Sequence, residues 1–128
     1  MTLNKVHHIA IICSDYKTSK KFYVENRGLE ALQEIYREDR DSYKLDLALH
    51  GNYIIELFSF PKPPPRSTRP EATGLRHLAF EVDDLQSQLL ELSKKGIVAE
   101  PVRTDEFTQK KFTFIFDPDN LPIELYQK

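Results

Sequence analysis

One offset relates the two halves of this 128-residue chain. His8-Ile9-Ala10-Ile11 leads to Asp15 and a helical stretch, and His77-Leu78-Ala79-Phe80 leads to Asp84 and another, each Asp lying seven positions after its His. The two histidines are 69 positions apart. Further on, Asn52-Tyr53-Ile54-Ile55-Glu56-Leu57-Phe58 matches Asn120-Leu121-Pro122-Ile123-Glu124-Leu125-Tyr126 at a shift of 68. Either match alone is a common string. Both at one shift, in one order, indicate a tandem duplication, and a repeat constrains the fold more than any local propensity.

Local signals within each half agree. Val6 to Cys13 is an apolar run of strand length, and Asp15 or Ser14 caps a helix predicted to run to about Arg27, with Gly28 as its stop. Leu32 to Tyr36, Tyr43 to Leu49 and Tyr53 to Phe60 then read as strands, the last two joined by a turn at His50-Gly51-Asn52. The second half predicts strands at Leu75 to Val82, Val98 to Val102, Lys111 to Phe116 and Leu121 to Tyr126, with a helix over Leu85 to Lys95. The pattern is βαβββ twice, an α+β fold, with module 1 over residues 4–60, a connector over 61–73 and module 2 over 74–128. The connector begins Pro61-Lys62-Pro63-Pro64-Pro65; proline lacks an N–H and fixes φ, which excludes a central strand there.

Alternation along strands assigns faces. His8 shares a face with Ala10 and Ile12 and opposes His7. Leu45, Leu47 and Leu49, with Phe112, Phe114 and Phe116, are expected to pack on helices, leaving Lys44, Asp46, Lys111 and Thr113 on the concave side. A carboxylate such as Glu56, among Ile54, Ile55, Leu57 and Phe58, is costly to desolvate unless a cation meets it, and Glu124 repeats that position. Taken singly, a strand His is more often a hydrogen-bonded structural residue and a strand Glu more often an edge or salt-bridge residue. As a symmetric quartet, His8, Glu56, His77 and Glu124 read as ligands of one divalent ion, near-neutral overall, with two open positions in an octahedral shell. Nitrogen and oxygen donors without thiolate suit Zn, Ni, Co, Mn or Fe. Lys44, Lys111 and Thr113 are expected to meet an anionic substrate. His7 and Cys13 read as packing residues, His50 as a turn residue, Asp83-Asp84 as a helix cap and Asp117 to Asn120 as a turn.

Bulk properties narrow the partners. The 18 basic and 20 acidic residues nearly cancel, which disfavours nucleic acid and anionic membranes, and 40% hydrophobic content supports a packed core. One cysteine excludes an intrachain disulfide, and the sequence shows neither a leader nor a spanning apolar run; a cytoplasmic setting is the expectation.

His8, the Glu-Leu strand ends and the Asp117-Pro118-Asp119 to Glu124-Leu125 close resemble the vicinal oxygen chelate superfamily over essentially the whole chain. Tyr36-Arg37-Glu38, Arg69-Pro70-Glu71-Ala72, Gly74 to Phe80 and Thr108-Gln109-Lys110 are similar to its small bacterial glyoxalase-like group called YaeR. That resemblance implies paired βαβββ modules in a cupped, incompletely closed eight-stranded mixed sheet, helices outside, around a metal held by His8, Glu56, His77 and Glu124. It also implies a homodimer. In the glyoxalase I branch it implies metal-stabilised enediolate chemistry on a small α-oxo compound or its thiol adduct, with the metal-site carboxylates Glu124, as base, and Glu56 as catalytic residues. Glyoxalase I enzymes typically carry Arg and Asn four positions after the first and second ligands, where this chain has Ile12 and Phe60, so a glutathione grip is not expected. The alternatives are an acyl-thioester epimerase, whose relatives usually place Gln where Glu56 stands, and a metal-free small-molecule binding protein, which is expected to lack the quartet.

Overall fold

In the computed structural model, which describes residues 2–128, the chain divides into two compact units, one ending at Pro65 and the other spanning Arg66–Lys128. Each is a βαβββ unit with its own four-stranded mixed sheet, neither closed into a barrel.

In the first unit β1 (Ile9–Cys13) is followed by α1 (Tyr16–Lys20), β2 (Glu30–Arg37), β3 (Ser42–Leu49) and β4 (Asn52–Ser59), in the sheet order β1-β4-β3-β2. The β1–β4 pair is parallel and the others antiparallel. The helix is one α turn that widens into a π-helical segment over Lys21–Asn26. A π turn holds more residues per revolution, so neighbouring side chains sit closer in angle, and Phe22 and Tyr23 are both buried side by side. Gly28 at φ +77° then ends the helix, as its sequence position predicted. Leu45, Leu47, Ile55 and Leu57, with no exposed surface, form the core face of this sheet, each worth about 1.5–3 kcal/mol of burial.

The second unit runs β5 (Leu78–Val82), α2 (Leu85–Lys94), β6 (Arg103–Thr104), β7 (Lys111–Phe116) and β8 (Pro122–Gln127), in the order β5-β8-β7-β6. Its core face is Thr113, Ile115, Ile123 and Leu125, with Leu85 and Leu92 of α2 also buried. Asp117 to Asn120 is the predicted turn: the Asp117 carboxylate accepts from the amides of Asp119 and Leu121, at 2.9 and 2.8 Å.

Two expectations are corrected here. Val98 to Val102 is not a strand; the short β6 lies beyond it. Pro101 has no N–H to give the ladder, and only Glu100 reaches the sheet, its amide donating to the Phe114 carbonyl at 2.9 Å and its carbonyl accepting from the Thr113 hydroxyl at 2.6 Å. The faces of β7 are also the reverse of those predicted. Thr113 pairs with Leu125 and is fully buried, whereas Phe114 pairs with Glu124 and Phe112 with Tyr126. Opposed residues share a face. The phenylalanines therefore share the Glu124 face, and Lys111 and Thr113 lie on the other.

The two helices start alike. Asp15 accepts from the Thr18 amide at 3.0 Å and Asp84 from the Ser87 amide at 3.3 Å, and these donors hold both carboxyls below their ordinary value of 3.8. A depressed folded-state pKa contributes stability above the unfolded value that disappears as pH falls through the folded one. Asp84→Ala is thus expected to lower Tm at neutral pH, and the deficit to shrink as melting is followed from about pH 5 to about pH 2. A deficit constant with pH would mean that the ionised cap is not its source.

Candidate metal centre

In each unit a His precedes the first strand and a Glu sits mid-way along the last. Ala10 pairs with Glu56 and Ala79 with Glu124, so His8 and His77, two residues before each alanine, fall on the faces of the two glutamates. His8 Nε2 lies 3.6 Å from Glu56 Oε1, and His77 Nε2 lies 3.8 Å from Glu124 Oε1. The carboxylates are only 17% and 16% exposed. Two donors each 2.0–2.2 Å from one ion, at angles of 90–120°, are about 2.8–3.8 Å apart. The spacing of both pairs thus suits adjacent ligands. Among the described residues no group of three or more His, Cys, Asp or Glu side chains gathers as a metal cage; what is seen is one His–Glu pair in each unit.

The surroundings of the two pairs differ. In the first unit Asp46 is paired with Glu56 across β3 and β4, and the Lys44 ammonium lies 2.8 Å from Asp46 and 3.4 Å from Glu56. The hydrogen bond to Asp46 leads the causes that raise the Lys44 pKa. Of the three residues expected to face an anionic substrate, Lys44 is on the predicted face but engaged with protein carboxylates, while Lys111 and Thr113 are on the wrong side of their sheet. Tyr53, which sequence reasoning missed, stacks on His8 at 5.1 Å between ring centroids and donates to Asp46 at 3.2 Å. A register shift between Leu47 and Ala48 sets Tyr53 opposite Ala48, near this pair. Burial, followed by the charges of Asp46 and Glu56, pushes its phenol up. His7 approaches His8, ring nitrogen to ring nitrogen, at 2.9 Å.

In the second unit the place of Asp46 is taken by Phe114, which meets His77 edge-on at 5.2 Å. Beside it opens a cavity of about 260 Å³, wholly within this unit, whose lining includes His77, Phe114, Arg69, Arg103 and Glu100. No spacing between residues singled out Arg103, which comes to this face through β6 opposite Phe112.

The tandem units and their repeated His–Glu pairs define a class, and comparison with known proteins agrees. Residues 5–125 match the family model of the Glyoxalase/Bleomycin resistance protein/Dioxygenase superfamily, and the chain belongs to that superfamily. It is 63% identical to YwkD of Bacillus subtilis (strain 168) over the full length of both, and 56% identical to YaeR of Escherichia coli (strain K12), covering 98% of each. The crystal structure of a glyoxalase family protein from Enterococcus faecalis, 46% identical, superposes with a TM-score of 0.91 over 99% of this chain and 100% of the other. No helix among the described residues is long and apolar enough to cross a membrane.

Proposed function

We propose that the chain is a metal-dependent lyase or isomerase of glyoxalase I type, acting on a small α-oxo compound or its thiol adduct, with His8, Glu56, His77 and Glu124 as the ligands of one divalent ion, Zn, Ni, Co, Mn or Fe. The observation that carries it is the recurrence, at equivalent register positions, of a His–Glu pair at ligand spacing. One pair is only two donors, so a stable shell needs both, drawn from one chain or from two chains of a homodimer. The likeness to the lactoylglutathione lyase of Schizosaccharomyces pombe (strain 972 / ATCC 24843) lends support: 27% identity over 98% of this chain, which spans 48% of that protein.

When bound, a divalent ion supplies Lewis-acid stabilisation of the oxygen charge that develops as a proton leaves the neighbouring carbon. The chain's own residues position and move that proton. Glu56 is tied to the Lys44 ammonium, whereas Glu124 has no Lys or Arg among its partners in the described residues. Glu124 is accordingly the carboxylate left to carry a proton between adjacent carbons, and Glu56 the one that balances charge. His8 and His77 would supply the nitrogen donors, and the stacked Tyr53 ring orients the plane of His8.

The test is a solvent-deuterium exchange screen on protein of measured metal content. Exchange at the carbon of α-oxo thiol adducts, lost on chelation and restored by metal, is the expected result; exchange only with acyl thioesters would replace this reading by the epimerase. A chain that retains no metal and melts at the same temperature with and without chelator would replace it by a metal-free binding protein. The Lys44 ammonium competes with an incoming cation for Glu56. Lys44→Met is therefore expected to tighten divalent-metal binding several-fold by titration calorimetry, and unchanged or weaker binding would count against Glu56 as a ligand.

A further inference from the structure

Four arginines line the cavity beside His77, and two of them are already committed. Arg66 bridges the connector, donating to Thr68 Oγ1 at 3.1 Å and to the carbonyls of Leu75 and Arg76 at 2.6 and 3.1 Å. Arg76 donates to Glu71 at 3.0 Å. Arg69 and Arg103 are different. Each faces one oxygen of the same carboxylate, Glu100, at 3.6 and 3.5 Å, longer than a charge-assisted hydrogen bond of about 2.7–2.9 Å. Two guanidinium charges thus share one negative charge, and most of their N–H donors have no protein acceptor among the described residues. The Arg103 guanidinium also lies over the rings of Phe112 and Phe114, 5.1 and 5.6 Å from their centroids. Ring contact holds a guanidinium in place while leaving its N–H edge for a planar or tetrahedral anion. Phe114 in turn touches His77.

We propose that Arg69 and Arg103 receive an anionic group, carboxylate or phosphate, borne by the substrate whose oxygen-bearing end reaches His77, and that Glu100 is the internal place-holder this anion displaces. The proposal rests on the isomerase reading for the word substrate, but anion binding itself needs no metal. The cavity, about 260 Å³, is below the range of drug-sized ligand sites, which favours a small anionic α-oxo or α-hydroxy compound over a long peptide-thiol adduct. It assigns the anion to the second unit, not to Lys44, whose charge is engaged by Asp46 and Glu56.

The experiment is calorimetric titration of the chelator-treated full-length chain with pyruvate, with dihydroxyacetone phosphate and with uncharged hydroxyacetone. Metal binding is titrated separately, so that loss of the metal reading and loss of this one are told apart. The expected result is binding of pyruvate or of dihydroxyacetone phosphate, which decides between carboxylate and phosphate, with no binding of hydroxyacetone. Arg69→Gln and Arg103→Gln are each expected to weaken it at least tenfold, and Arg40→Gln, an exposed change in the first unit, to leave it unchanged. Glu100→Gln is expected to tighten it several-fold, a gain that damage to the fold does not produce. Failure of both anions to bind the parent chain, equal binding by the Arg69 and Arg103 variants, or no tightening with Glu100→Gln would overturn the proposal.

Discussion

Changing Glu124 to Gln is expected to cut solvent-deuterium exchange by about 10²–10⁴-fold, the usual contribution of a positioned general base, while metal stays bound. Glutamine keeps the shape of the side chain and an oxygen donor but cannot take up a proton, so ligation and proton transfer separate. The matching change Glu56→Gln keeps an oxygen donor in the same way and is expected to cost the exchange step far less, because the Lys44 ammonium already sits 3.4 Å from that carboxylate. Single-turnover exchange with metal content measured on the same sample reads both effects. If Glu124→Gln exchanged at the parent rate with a full complement of metal, the base would have to be sought elsewhere.

The second large effect concerns the shell itself. His8→Ala and His77→Ala are each expected to lower divalent-metal affinity by more than the 10–100-fold typical of losing a mere hydrogen-bond partner of a ligand. In the parent chain, metal at 100 times its Kd is expected to stabilise the fold by about 2.7 kcal/mol, visible as a rise in Tm that chelator reverses. Both variants should lose that rise. Because the two histidines are proposed to serve one ion, the double variant should bind scarcely more weakly than either single one, a non-additivity that two independent sites cannot show. Loss confined to one variant would place the metal on a single His–Glu pair.

Much of this architecture was legible from the offset between the halves. That offset placed both helices, both Asp caps and seven of the eight strands within a few residues, because caps, glycine stops and apolar runs agreed with it. The failures have physical causes. Lys111 to Phe116 has apolar residues on both faces, so alternation alone did not say which side Thr113 and Ile115 take, and bulk was mistaken for burial. The offset held the answer: the shift of 68 that carries Glu56 to Glu124 also carries Leu45 to Thr113 and Asp46 to Phe114. The π-helical widening after Lys20 and the break of strand pairing at Pro101 depend on packing and on single missing donors, which periodicity does not register. Of the site, the His–Glu pairing within each half was readable from spacing. Tyr53, Arg69 and Arg103 were not, since a register shift, a connector and a two-residue strand bring them to their pairs.

The replacement of Lys44 and Asp46 in one half by Phe112 and Phe114 in the other has a consequence for how a ligand is read. Two identical half-shells would offer an unsymmetrical molecule two equivalent poses, only one of which sets its labile hydrogen beside a given carboxylate. If the two halves serve one ligand as proposed, making one ionic and the other aromatic lifts that degeneracy, and a duplicated scaffold is then expected to acquire a head and a tail and a single handed outcome.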